Sequence, residues 1–144
     1  ELRREVVRVI RQHRPDILVT CDPSNLFPNT TYGINHPDHR YAGQVVLDAI
    51  FPAAGNPHYF PELLKEEGLE PHMPKEMWLS LAAQPNVTLD VTDTWEFKVR
   101  AILEHRSQVA DPQKLIERLK SRRAEGSTEE NPRYEEKFRL VKWR

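Results

Sequence analysis

The feature that most constrains this chain is a short unbroken apolar run, Asp16-Ile17-Leu18-Val19-Thr20, set between two stretches of helical periodicity. Upstream, Leu2, Val6, Val9, Ile10 and His13 recur at helical spacing, with Arg and Glu on the opposite face. The pattern predicts a helix from Leu2 to Gln12, stopped at Arg14-Pro15 because a residue before proline avoids the α region. A continuous apolar run of this length suits a strand buried on both faces, as in a parallel sheet covered by helices. Helix, buried strand, helix is the signature of an α/β protein.

From Cys21 to Asn35 the sequence is rich in Pro, Asn, Thr and Gly and has no period, so it reads as a loop at the C-terminal end of that strand. In open α/β sheets this is the edge where ligands bind. A second helix is expected from Pro37 to Ile50, with Ala42, Val45, Val46, Ala49 and Ile50 as its apolar stripe and Pro37 in its first turn. Residues 51–75 carry Pro52, Pro57, Pro61, Pro71 and Pro74 and predict a long excursion, with one helical turn at 62–67 closed by Gly68. Strands are expected at Met77–Leu81 and Val87–Val91, separated by a turn at Gln84-Pro85-Asn86. Asp93 and Glu96 are spaced as a capping box for a helix reaching His105. Asp111-Pro112 opens another helix, and Asn131-Pro132 a short terminal one carrying Tyr134, Phe138 and Val141. The expected architecture is a Rossmann-like, three-layer α/β fold with a largely parallel sheet.

Composition narrows the function classes. The 21 Lys and Arg balance 22 Asp and Glu, so no bulk positive field points to nucleic acid or to an anionic membrane. The single Cys21 excludes a disulfide scaffold and a Cys-rich zinc module. No apolar run approaches the roughly 20 residues of a membrane span. These features predict a soluble, cytoplasmic protein. The chain starts without Met and inside a helical pattern, which leads us to expect a piece of something longer, its N-terminal strands among the residues not included.

The segment Asn35-His36-Pro37-Asp38-His39-Arg40 stands out chemically. Two His and one Asp fall within four residues, after a strand-ending loop and at a helix start. Positions three apart share a helix face, so His36 and His39 can approach one point. Neutral imidazole is the commonest protein metal ligand, and a nearby carboxylate can fix its tautomer. Taken alone, the spacing fits equally a capping Asp with two surface histidines, because a catalytic zinc takes three protein ligands and this segment offers two. Tyr32 and Asn35, in the preceding loop, are candidates to contact a sugar or simply to make turns. Arg40 is placed to bind an anionic substrate group or to stand in water. His105 suits a helix C-terminus. The Arg118–Arg123 cluster, with Glu117 and Glu125 beside it, reads as a solvated helix face.

These elements in order resemble the PIG-L/LmbE family of zinc-dependent N-acetylglucosaminyl deacetylases. The match rests on Arg14-Pro15-Asp16-Ile17-Leu18-Val19-Thr20, Asp22-Pro23 and Asn35-His36-Pro37-Asp38-His39-Arg40. Further along, Asp90-Val91-Thr92, Lys98, Glu104-His105-Arg106-Ser107-Gln108 and Tyr134-Glu135-Glu136-Lys137-Phe138 continue it. The resemblance implies hydrolysis of the acetamide of an N-acetylated amino sugar or its glycoside. It implies Zn2+, or another divalent metal, held by a His and an Asp of an early His-Pro-Asp-Asp-Glu motif and by His39. His36 would then stabilise the oxyanion or protonate the leaving amine, with Asp38 orienting it. Tyr32, Asn35, Arg40 and Gln108 would line the substrate pocket. This sequence holds no His-Pro-Asp-Asp-Glu. The expected partner is therefore an N-terminal segment of the same protein that carries the general base and the other ligands; a homo-oligomer is a further expectation. The alternatives are a non-catalytic sugar-binding or interaction module of the same fold, and an amidase acting on a thiol-sugar conjugate.

Overall fold

In the computed structural model the described residues are 1–28 and 33–143. The elements follow the order α1 (Leu2–His13), β1 (Ile17–Cys21), α2 (Pro37–Asp48), α3 (Pro61–Lys65), β2 (Glu76–Ser80), β3 (Val87–Asp90), α4 (Trp95–Leu103), α5 (Pro112–Lys120) and β4 (Glu135–Lys142). The fold is α/β, with one four-stranded sheet in the order β1-β2-β4-β3. The β1–β2 pair is parallel, from Ile17 opposite Glu76 to Cys21 opposite Ser80. The β2–β4 pair is antiparallel, from Glu76 opposite Lys142 to Leu79 opposite Arg139. The sheet is thus mixed, where the sequence had pointed to a largely parallel one.

The chain divides into two compact units, residues 1–87 with 137–144, and residues 88–136. In the first, α1 ends where Arg14 turns left-handed (φ 48°), so that its N–H reaches the carbonyl of Ile10. Proline at 15 disfavours a further right-handed turn there, as expected. The core gathers Val7 and Ile10 of α1, Met77 and Leu79 of β2, Leu63 of α3, and Ala49, Ile50, Ala53 and Ala54 of the segment after α2. That segment was expected to be helical up to Ile50. It instead continues as a π-type turn over Ala49–Ala54, broken at Phe51 ahead of a cis Phe51–Pro52 bond. Proline at 52 cannot donate to an α-helical ladder, and the small alanines let the irregular turn pack closely. The guanidinium of buried Arg11 holds this turn by donating to the carbonyls of Ala53, Ala54, Asn56 and Tyr59 at 2.9–3.1 Å. Glu67 receives both Arg8 Nε and Nη2, and Glu62 receives Arg4 Nε, which ties the excursion to the outer face of α1. Gly68 closes it at φ 67°, as the sequence predicts.

Two expectations fail for identifiable reasons. The run Ile17–Val19 is not buried on both faces. β1 lies at the sheet edge, and Ile17 and Val19 remain more than half exposed. The chain's end is not a helix: Glu135–Lys142 forms β4, because pairing with β2 satisfies its backbone and sets Leu140 beside Trp78.

The second unit packs α4 and α5 around Trp95, Leu119 and Tyr134. The Trp95 and Tyr134 rings stack 4.2 Å apart, within 4° of parallel. Asp111 caps α5 by accepting from the Lys114 N–H at 3.0 Å, as read from the sequence. The Asp93–Glu96 capping box does not form. A 3-10 turn over Thr92–Thr94 leads into α4, and Asp90 receives the Thr92 N–H instead. Among the described residues no helix is long and apolar enough to cross a membrane.

Candidate functional site

The loop after β1 is built around Asp22, which is 3% exposed. Its Oδ1 accepts from the Ser24 N–H (2.8 Å) and hydroxyl (2.6 Å), and its Oδ2 accepts from the Ala83 N–H beyond β2 (2.9 Å). Burial works to raise this carboxyl's pKa, and the hydrogen bonds from Ser24 and Ala83 outweigh it, leaving Asp22 below the usual carboxylate range. Asn35, equally buried, closes the loop from its other end. Its amide donates to the carbonyls of Asp22 (3.3 Å) and Asn25 (3.0 Å), and its backbone N–H donates to Leu26 O. Its Oδ1 is buried with no partner. Arg40, one turn into α2, folds back so that Nε donates to the Asn35 carbonyl at 3.2 Å.

This loop delivers the chain to α2 at His36. His36 is the N-cap, where a capping Asp38 had been one of two readings of the spacing: its Nδ1 accepts the Asp38 backbone N–H at 3.2 Å. With Nδ1 serving as an acceptor, the neutral ring carries its proton on Nε2, which is the nitrogen left for a ligand or substrate. The Asp38 carboxylate lies 3.7 Å from Nδ1 and would face an imidazolium as an ion-pair partner. The His39 ring sits 5.6 Å from that of His36, centroid to centroid, so the spacing does bring the two onto one face. His36, Asp38 and His39 are all exposed. Among the described residues no group of three or more His, Cys, Asp and Glu comes together to hold a metal ion.

The position of α2 itself depends on Gly43. A Cβ there would lie 2.3 Å from the Cys21 carbonyl oxygen and 3.1 Å from Pro23 Cδ, so only glycine lets the helix sit this close to the end of β1. The sequence reading gave no role to Gly43 or to Asp22. A glycine inside a helical pattern was the available signal for the first; the second stood in the Asp22-Pro23 step that carries part of the resemblance, with nothing in the sequence to tie it to Ala83. Of the remaining candidates, Tyr32 lies outside the described residues. Gln108, in the unit 88–136, is exposed on a 3-10 turn over Arg106–Gln108 and lines a cavity of about 200 Å3 with Asp111, Lys114 and Arg118.

No protein-family model matches the chain. It is 36% identical over 108 residues to the diacetylchitobiose deacetylase of Thermococcus kodakarensis, an alignment covering 75% of this chain and 38% of that protein. It is also 36% identical over 81 residues to a 1D-myo-inositol 2-acetamido-2-deoxy-alpha-D-glucopyranoside deacetylase of Saccharopolyspora erythraea, over 56% of this chain and 25% of that one. Among solved structures it matches the N,N'-diacetylchitobiose deacetylase of Pyrococcus horikoshii, in complex with an inhibitor. The TM-score is 0.77 at 28% identity, over 97% of this chain and 51% of that one. These deacetylases are members of the PIG-L/LmbE-like family, which the chain resembles. It spans well under half the length of these curated relatives and about half of the solved one. In this chain the His36–His39 element sits where doubly wound folds place ligands, beyond the carboxyl end of a parallel strand.

Proposed function

We propose that this chain forms part of a metal-dependent deacetylase that hydrolyses the acetamide of an N-acetylated amino sugar or a glycoside of one. The observation that carries the reading is the His36–His39 pair, held on one face of the α2 N-terminus by a loop that Asp22 and Asn35 lock to the sheet edge. The similarity to deacetylases of diacetylchitobiose and of an inositol-linked acetamido sugar supports the substrate class.

The donor set fits a divalent metal through one residue of this chain, His39, an exposed imidazole at the site. The other donors are assigned to the part of the relatives' fold that this chain does not span. When bound, zinc would lower the pKa of a water and polarise the acetamide carbonyl. The chain's own part is to supply and steer a proton. His36, with Nδ1 tied to the Asp38 N–H, donates a hydrogen bond from Nε2–H to the oxygen on which negative charge develops. To protonate the departing amine the ring must first take up a proton at Nδ1, which then faces the Asp38 carboxylate in place of the Asp38 N–H. Asp38 offsets the charge if the ring becomes an imidazolium. Asn35 acts by holding the loop, its amide being committed to backbone carbonyls, while Arg40 braces the first turn of α2.

The test is release of free amine from diacetylchitobiose by the metal-loaded, full-length protein. His36→Ala should lower kcat about 100-fold, the span of one positioned proton donor, with metal content unchanged. His39→Ala should lower bound metal as well as activity. Sugar binding without any amine release from acetamido sugars would defeat the reading in favour of a non-catalytic module. Turnover confined to thiol-sugar conjugates would move it to an amidase.

A further inference from the structure

Within the unit 88–136, a cavity of about 550 Å3 opens between α4, α5 and the segment that precedes β4. That volume lies in the range of roughly 300–1,000 Å3 typical of small-molecule sites. The stacked pair Trp95 and Tyr134 contributes to its wall, and both side chains are 7% exposed. Three cations, Arg100, Lys120 and Arg123, line it against one carboxylate, Glu96. The chain as a whole carries a net charge of −1, so this excess of positive charge is local. Neither arginine is tightly committed. Arg123 reaches only Glu129, at 3.7 Å, and that carboxylate is 91% exposed. The Arg100 guanidinium carbon sits over the Phe97 ring, 4.6 Å from its centroid, a contact that uses no guanidinium hydrogen-bond donor. The indole N–H of Trp95 is buried without an acceptor. A native structure seldom leaves such a donor unpaired.

We propose that this cavity binds an organic anion with an apolar body: the anionic group against Lys120, Arg123 and Arg100, and the body against the Trp95–Tyr134 stack. Lys120 and Arg123 belong to a cluster whose sequence reads as a solvated helix face. Both are exposed, and both also line the cavity whose wall includes the stacked rings. The inference is independent of the deacetylase reading, since it rests on a different set of residues.

Phenyl phosphate is the probe, titrated into 15N-labelled protein while the Trp95 indole N–H resonance is followed. The expected result is a saturable shift of that resonance. Inorganic phosphate and phenol, the two halves of the probe, should each bind at least about tenfold more weakly. Lys120→Gln and Arg123→Gln should each weaken phenyl phosphate by about tenfold, the worth of one charge-assisted contact, and Glu96→Gln should tighten it. Unchanged dispersion of the remaining amide resonances confirms that each variant is folded. A shift that does not saturate, phenol binding as tightly as phenyl phosphate, or affinity indifferent to both cation substitutions would overturn the proposal. Phosphate alone matching phenyl phosphate would remove the apolar half of it.

Discussion

Replacing Gly43 by alanine tests the central geometric claim, that α2 is seated against the end of β1. The added Cβ would sit 2.3 Å from Cys21 O, about an ångström inside ordinary van der Waals contact. The obstructing atom is a backbone carbonyl in a parallel strand pair, so no rotamer change relieves it. Overpacking of this kind costs about 1–3 kcal/mol, and a clash with backbone belongs at the upper end. Alanine recovers about 1 kcal/mol through its better helix propensity. The net expectation is a loss of about 1–2 kcal/mol, read as a lower urea midpoint with an unchanged m-value. The helix must also retreat by roughly the missing ångström, carrying His36 and His39 with it. Displacements of that size can cost about 100-fold in a positioned reaction, so activity should fall further than stability accounts for. Gly43→Ala with stability equal to or above that of the parent would refute the reasoning, because helix propensity would then outweigh a contact that does not exist.

Arg11→Met should cost about 3–5 kcal/mol in chemical denaturation, because the carbonyls of Ala53, Ala54, Asn56 and Tyr59 lose a shared buried donor, and Arg11→Lys should recover less than half of that. The Asp22 carboxyl titrates lower in the folded chain than in the unfolded one. The stability it contributes is therefore complete above the unfolded value near pH 4 and is lost as pH falls through the folded value. Asp22→Asn should flatten that acid limb in stability measured against pH, and a limb of unchanged depth would count against the hydrogen-bonded carboxylate. The chain made alone should self-associate through the open edge of β1, and Val19→Lys should shift its sedimentation toward the monomer.

Much of the architecture was legible because local chemistry dictates it. The amphipathic stripe of α1, Pro37 in the first turn of α2, Gly68 after α3 and Asp111 before α5 each follow from helical periodicity, fixed or permissive φ, or a side-chain cap within a few residues of themselves. The His36–His39 pairing was legible for the same reason, since a three-residue step on a helix fixes a shared face whatever surrounds it. What sequence could not decide was every question whose answer lies on another segment. Residues 135–142 suit a helix by themselves and become β4 only because β2 offers a free edge. Ile17 and Val19 read as interior, yet their burial depends on what lies beside β1. Asp22 and Gly43 became significant only once Ala83 and the Cys21 carbonyl stood against them, 61 and 22 residues away in the chain. Likewise Lys120 and Arg123 became part of a cavity wall when Trp95 and Tyr134 stacked nearby. Short-range order follows from dihedral preference and capping; the site follows from long-range contacts, and only the folded chain brings those atoms together.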